Sequence, residues 1–244
     1  MLLGGKDTWD NILAYIHEEK PDIMFLQEVH NSKEPNVPSY LSSYEALKKE
    51  FSFPYSEYET QFNLINENEY APSGLAILSK FPLTKKRVLW LHGDAPIEFD
   101  IKDREQIPTL PRNLMHCQAE INNKIVNLMT LQGVWAPDEK ELETQKEMAN
   151  KIFEYISDKN EIILGGDFNV NENTESIDLI SQKLNNVFKG ERVTSFNMTR
   201  KTKPGYGVAV VDFIFTSPSI KVVEHYTSDH DVSDHKSQVI TVEA

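Results

Sequence analysis

Glu161-Ile162-Ile163-Leu164-Gly165-Gly166-Asp167-Phe168-Asn169 is an apolar run that closes on two glycines, followed by an acid and an amide two residues apart. A short apolar run with polar flanks predicts a buried strand. Side chains at i and i+2 of an extended segment point the same way, so Asp167 and Asn169 are expected to face one small volume at the strand end. Glycine there permits a tight turn or a close approach of backbone to a ligand. A carboxylate and a carboxamide aimed together suit a water, a metal ion or a phosphate oxygen. The competing reading is local, because Gly-Gly-Asp-x-Asn is also ordinary turn chemistry.

On either side of this strand the apolar spacing predicts helices over 138–157 and over 177–188. Upstream, Trp9, Ile12, Leu13 and Ile16 have helical spacing behind a cap at Asp7 or Thr8, and Lys20-Pro21 stops that helix. Short apolar segments predict strands over 22–26, 74–79, 86–91, 114–121, 125–131, 210–216, 220–224 and 237–242. The polar segments 31–72 and 92–112 read as loops, the first holding a short helix from Tyr44 to Phe51. Strands outnumber helices and several are hairpin-linked, which argues for antiparallel or mixed sheets with helices outside. No linker divides the sequence, so residues 1–244 are expected to form a single domain.

The 244 residues are 39% apolar and 26% charged, as in an ordinary globular protein. The net charge of -13 weighs against broad capture of a nucleic-acid backbone, which uses clustered Lys and Arg. It leaves room for a nuclease whose positive charge comes from bound cations. Cys117 is the single cysteine and excludes an intrachain disulfide. No stretch approaches the ~20 apolar residues of a membrane span, and the first residues lack a leader pattern. The expectation is a cytoplasmic monomer without a membrane partner.

Acids gather at strand ends. Glu28 follows one strand, Asp167 another, Asp212 lies inside Val210-Val211-Asp212-Phe213-Ile214-Phe215, and Asp234-His235 precede the last strand. Taken singly, Glu28 reads as a solvated acid, Asp212 as a strand-edge carboxylate and Asp234-His235 as a cap. His30, His225 and His230 read as surface residues and His116 as a satisfied half-buried group. Trp135, Tyr206 and Lys201-Thr202-Lys203 are candidates for a substrate rim. Oxygen ligands of this kind suit a hard cation such as Mg²⁺ or Mn²⁺.

Leu26-Gln27-Glu28, Gly166-Asp167-Phe168-Asn169, Val211-Asp212-Phe213-Ile214-Phe215 and Ser233-Asp234-His235 occur in that order, and together they resemble the endonuclease/exonuclease/phosphatase superfamily. The resemblance implies a DNase I-like α/β (α+β) fold, a four-layered sandwich of two mixed β-sheets flanked by helices. It implies metal-assisted hydrolysis of a phosphate ester, nucleic acid being one candidate substrate. Glu28 and Asp234 would bind Mg²⁺ or Mn²⁺. Asp167 would position or deprotonate the attacking water, and Asn169 would orient it. His235 would donate to a phosphate oxygen while Asp212 holds its ring. Arg112 and Asn113 are candidates to reach the substrate phosphate.

Two departures from that pattern stand out. The family's first strand, whose end carries an Asn, has no counterpart before the helix at Thr8, so the start lies elsewhere or the form is truncated or divergent. Gln132 stands where the family carries a His. Alternative readings are therefore a catalytically weakened protein that binds a phosphorylated ligand, a small-molecule phosphatase, or a fragment lacking a central strand. A neutral amide can donate a hydrogen bond but cannot carry positive charge, and a charged donor is worth about twice a neutral one. The expected outcome is that phosphodiester turnover rises on Gln132→His; an unchanged or lower rate contradicts it.

Overall fold

The computed structural model describes residues 5–66, 69–136 and 141–243. Helix α1 spans Gly5–Glu19. Ile12, Tyr15 and Ile16 recur at helical spacing and are buried. Lys20 adopts φ 50 and Pro21 follows, which ends the helix. Strand β1, Ile23–His30, runs beyond the expected 22–26 through a bulge between Leu26 and Val29. Helix α2 is Ser43–Phe51, closed by Ser52 at φ 51.

The segment expected as loop from 31 to 72 holds a long hairpin. Strand β2, Tyr55–Asn66, pairs antiparallel with β3, Glu69–Ser79. A bulge between Thr60 and Phe62 shifts the phase of the apolar positions. The period of two therefore breaks mid-strand and its sequence signal is lost. Strand β4 is Leu83–His92. The expected loop 92–112 also contains β5, Ile97–Asp100, which pairs parallel with β2 and buries Phe99.

Strands β6, Arg112–Ile121, and β7, Lys124–Gln132, form the expected hairpin. Helix α3 covers Glu143–Ile156; of the expected 138–157, positions 138–140 lie outside the described residues. Strand β8 is Ile162–Asp167. Helix α4 is only Glu175–Ser181, shorter than the expected 177–188, because residues 185–186 leave it to pair with the next long strand as β9. Leu184 and Phe188 are still buried, so the helical spacing there marks core positions in the turns on either side of β9. Strands β10, Asp212–Thr216, β11, Lys221–Thr227, and β12, Gln238–Glu243, complete the chain.

Two mixed sheets result, in the orders β1-β3-β2-β5 and β4-β6-β7-β8-β10-β9, while among the described residues β11 and β12 pair only with each other. Alternation along each strand sorts the layers. On β6, Met115, Cys117 and Ala119 face Leu75 and Ile77 of β3 between the sheets. Leu114 turns outward, where Leu131, Leu164, Phe213 and Phe215 meet Met148 and Ile152 of α3 and Ile177 of α4. Helices α1 and α2 cover the other sheet through Tyr44, Leu47, Ala76 and Leu78. Each fully buried apolar side chain of this kind contributes roughly 1.5–3 kcal/mol. The layers are helix, sheet, sheet, helix. Strand β1 is an edge of the first sheet, and among the described residues no strand precedes α1.

Gly133 carries the exit from β7. Its N–H donates to the Asp167 carbonyl at 2.7 Å. A Cβ on Gly133 would lie 2.0 Å from the Phe168 carbonyl oxygen. Backbone on both sides leaves nothing flexible to yield, so Gly133→Ala is expected to destabilise the chain by about 3 kcal/mol. Thermal denaturation should show a melting temperature lower by roughly 6–12 °C; an unchanged value contradicts this packing.

Candidate active site

Strand register assembles the site. Gln132 of β7 is the Cα partner of Asp167 on β8, and Asp167 is the partner of Asp212 on β10. Three side chains therefore stand in one row across adjacent strands, with the usual ~4.8 Å between strands. Close packing of β8 on β7 makes room for this row. A Cβ on Gly166 would lie 2.1 Å from the Leu131 carbonyl oxygen.

Facing this row, β1 supplies Glu28. The bulge sets Glu28 at φ 55 and turns its carboxylate toward the opposite sheet. Gln132 Nε2 donates to Glu28 Oε1 at 2.7 Å, and Gln132 Oε1 accepts from Arg112 Nη1 at 2.8 Å. One neutral amide thus satisfies a cation on one side and an anion on the other. A histidine could do the same only as the neutral tautomer. Next to this pair, Gln27 Nε2 donates to Thr130 Oγ1 at 2.9 Å and fixes the same two strands.

Arg112 and Asn113 do not open toward a substrate. Arg112 is 4% exposed and hands a donor to Gln132. Burial lowers the Arg112 pKa, while the carboxylates of Glu28 and Asp167 oppose that shift. Asn113 is fully buried and donates to the Thr60 carbonyl at 3.4 Å. Asn113 has the inward parity of Met115, whereas Arg112, of the parity of the outward Leu114, is brought to Gln132 at the register shift between Trp90 and His92.

Asp167 is buried, and burial followed by the adjacent Asp212 pushes its carboxyl upward, with His235 opposing. His235 Nδ1 lies 2.8 Å from Asp212 Oδ2. Desolvation disfavours a charge on the ring, but Asp212, by charge and by hydrogen bond, raises its pKa to about 9. The ring is therefore an imidazolium at neutral pH. Ligand atoms of Asp167, Asp212 and His235 all lie within 4.8 Å of one another. That spacing could hold a cation, and the His235 ring nitrogen Nδ1 is committed to Asp212.

Asn169 reaches the site differently from the expected shared strand face. The strand ends at Asp167 and Asn169 adopts φ 54. Its backbone N–H donates to Asp167 Oδ1 at 2.9 Å, and its Nδ2 donates to the Gly133 carbonyl at 3.1 Å. Gln145 on α3 donates to the carbonyls of Val134 and Asn169 at 3.0 and 2.8 Å, tying both loops together. No sequence signal marked Gln145, whose role depends on where α3 docks.

Asp234 is also not free. Lys201 Nζ lies 2.9 Å from its Oδ2, and Ser233 Oγ donates to its Oδ1 at 3.2 Å. The segment around it is tethered by Asn197, whose Nδ2 donates to Asp231 Oδ1 at 2.8 Å and to the Ser233 carbonyl at 3.0 Å. Arg200 also pairs with Asp231. Phe196 stacks on the His235 ring at 4.5 Å and on Tyr206 at 4.7 Å, while Lys201 lies 5.2 Å over the Tyr206 ring. Lys201 and Tyr206 are thus linked to His235 through Asp234 and Phe196.

His30, expected at the surface, is 1% exposed, and burial lowers its pKa to about 4, so it is neutral. The β1 bulge turns the strand end inward and carries His30 with it. His225 and His230 are partly exposed and lie beside Glu191 and Glu18.

A search of curated proteins finds no match. Several solved structures share the fold. An endonuclease/exonuclease/phosphatase from Beutenbergia cavernae is similar with a TM-score of 0.74 and 18% identity, over 94% of this chain and 64% of that one. The present chain therefore spans less than two thirds of that protein. A mannosyl-6-phosphatase from Bacteroides thetaiotaomicron gives 0.65 and 18% identity, over 98% and 91% of the two chains. TDP2 from D. rerio, complexed with a single-strand DNA product, gives 0.69 and 16% identity, over 98% and 92%. Among the described residues no helix is long and apolar enough to cross a membrane. The family model described as Endonuclease/Exonuclease/phosphatase family matches residues 5–235, nearly the whole chain, and the protein belongs to that family.

Proposed function

We propose that this protein is a divalent-metal-dependent phosphoric ester hydrolase, acting on a phosphodiester by in-line attack of water. The observation that carries the reading is the buried row in which Asp167 lies beside an imidazolium held by Asp212. Displacement at phosphorus needs little covalent help from a protein; it needs positioning and stabilisation of charge. His235 has one ring nitrogen on Asp212 and donates from the other to a phosphate oxygen as charge builds. Asp212 fixes the tautomer and favours the charged ring. Asp167, raised toward neutrality by burial and by Asp212, is suited to accept a proton from water. Its Oδ1 is steadied by the Asn169 N–H.

The acids fit a hard cation. Glu28 and Asp212 both push the buried Asp167 carboxyl up, a repulsion that Mg²⁺ or Mn²⁺ would relieve. Glu28, held from one side by Gln132, is the favoured ligand, and Asp234 could join it only by giving up Lys201. When bound, the cation supplies positive charge against the phosphate oxygens. Arg112 acts as a positioning residue through Gln132. Asn113 packs behind it.

A second reading, a weakened phosphate-binding protein, is favoured by the Lys201–Asp234 pair and by the neutral Gln132. The readings separate in one assay of the purified chain with Mg²⁺ or Mn²⁺ against a chromogenic phosphodiester, single- and double-stranded DNA, RNA and a sugar phosphate. Metal-dependent turnover that falls by roughly 10²–10⁴ on Asp167→Asn and on His235→Ala supports the hydrolase. Phosphate binding without turnover in the unaltered protein supports the second reading.

The His235 charge is checked separately, without metal or substrate. Its folded pKa of about 9 lies above the ordinary 6.5, so the folded chain keeps a proton that the unfolded chain releases. The resulting stabilisation is complete below about 6.5 and is lost as pH rises through about 9. Nuclear magnetic resonance titration should place the ring midpoint near 9 and show a marked downward shift in Asp212→Asn. A midpoint near 6.5 in the unaltered protein contradicts the pairing.

A further inference from the structure

Helix α3 runs from the active-site end of the six-stranded sheet, where Gln145 is bound, to the opposite end, where Tyr155 meets His116. Past its last turn the outer face of the sheet is polar. There His116 and Gln118 of β6 and Ile125 and Asn127 of β7 are i, i+2 pairs pointing to one side. On β4, a bulge between Thr84 and Arg87, with Lys85 at φ 51, turns Lys85 to the same place as Arg87. These side chains and residues 158–161 line a cavity of about 390 Å³. Asn127 lies five residues before Gln132, about 17 Å along β7.

The floor of this cavity is fixed and neutral. His116 contacts the Tyr155 hydroxyl at 2.8 Å and Asn127 Oδ1 at 2.9 Å, and burial keeps its pKa below the ordinary value. Asn127 Oδ1 also accepts from Gln118 Nε2 at 3.1 Å, and Asn127 Nδ2 donates to the Asn160 carbonyl at 2.6 Å. Gln118 keeps its carbonyl oxygen and one amide hydrogen for a ligand.

The walls carry opposite charges. Lys85 and Arg87 are exposed, and among the described residues neither makes an ion pair or hydrogen bond. Two unpaired cations converging on one cavity are unusual in a chain of net charge -13. Lys159 adds a third cation, held by Asp158 Oδ1 at 2.7 Å and lying 4.1 Å over the Tyr155 ring. The residues before β8 add two carboxylates to the lining, Asp158, which Lys159 engages and whose pKa Lys159 and Arg87 lower, and Glu161. A bare dianion would be drawn by the cations and repelled by the carboxylates. A ligand with a phosphate at one end and hydroxyls at the other satisfies both, because carboxylates accept from hydroxyls.

We propose that this cavity is a second binding site, separate from the acidic row, for the phosphate monoester of a small polyol. The phosphate sits between Lys85 and Arg87, and the hydroxyls meet Gln118 and the carboxylates of Asp158 and Glu161. The inference stands independently of the hydrolase reading.

Calorimetric titration of the full chain in a metal chelator tests it, with ribose 5-phosphate and glucose 6-phosphate as probes and ribose and inorganic phosphate as half-ligands. At least one sugar phosphate should bind about tenfold more tightly than either half. Arg87→Gln and Lys85→Gln should each weaken that binding about tenfold without lowering the melting temperature of the free protein. Asp167→Asn should leave it unchanged. The proposal is overturned by no binding at roughly 10 mM. It is equally overturned by inorganic phosphate binding as tightly as the sugar phosphates, or by binding that Asp167→Asn removes and Arg87→Gln does not.

Discussion

The pairing of Asp167 with Asp212 across β8 and β10 is the constraint on which the site depends. Register places two acids side by side in a half-buried row, and nothing in strand geometry relieves their repulsion. An isolated buried charge is costly, and a like neighbour adds to that cost. The structure answers it locally. Asp212 takes the His235 ring, which becomes its counter-charge. Asp167 takes the Asn169 N–H, and its remaining strain appears as a raised pKa. The same pressure that makes Asp167 hard to ionise is what the proposed hydrolysis would use, a carboxylate with raised proton affinity. Function and folding cost therefore have one source.

A second set of contacts carries this row across the sandwich. Arg112 donates to Gln132, and Gln132 donates to Glu28, so a cation in one sheet reaches an anion in the other through one amide. Removing the middle group would take from the buried guanidinium and from Glu28 the hydrogen bond that each makes to Gln132. Gln132 is thus more than a substitute for a missing imidazole. Its side chain ties β1 to the opposite sheet, and among the described residues β1 has only β3 beside it.

How much of this was legible in the sequence depends on the range of the interaction. The β8 run, the β6–β7 hairpin and the acids at strand ends announce themselves within a few residues. The hairpin of β2 and β3 did not, because its bulge interrupts the alternation that marks a strand. Helix α4 was overdrawn because Leu184 and Phe188 are core residues whichever element carries them. Asp167, Asp212 and His235, which the structure brings within 4.8 Å of one another, and Glu28, which faces them, are singled out in the sequence by the order of their motifs. The hold of Lys201 on Asp234, the inward turn of Arg112 and the burial of His30 are not. Each depends on which strand lies opposite, and that is decided by register and by bulges, not by local composition. Asn169 shows the difference most directly. The period of two put it beside Asp167, and the left-handed backbone at Asn169 put it there by another route.

Bulges do more in this protein than hide strands. At Glu28 an irregular residue with positive φ turns an acid toward the row. At Lys85 another such residue turns a cation toward the cavity below α3. A regular strand can present a charge only to the face its parity allows, and on a central sheet both faces are largely apolar core. An extra residue changes that parity locally, so a charged side chain is delivered to one place while the rest of the strand keeps its packing. Arg112 is a further case: it has the parity of the outward Leu114, yet at the register shift between Trp90 and His92 it reaches into the sandwich, where Gln132 accepts from it. Glu28 and the cationic wall of the outer cavity are therefore set by separate distortions on β1 and β4, which lie in different sheets, while the acidic row itself comes from the register of β7, β8 and β10.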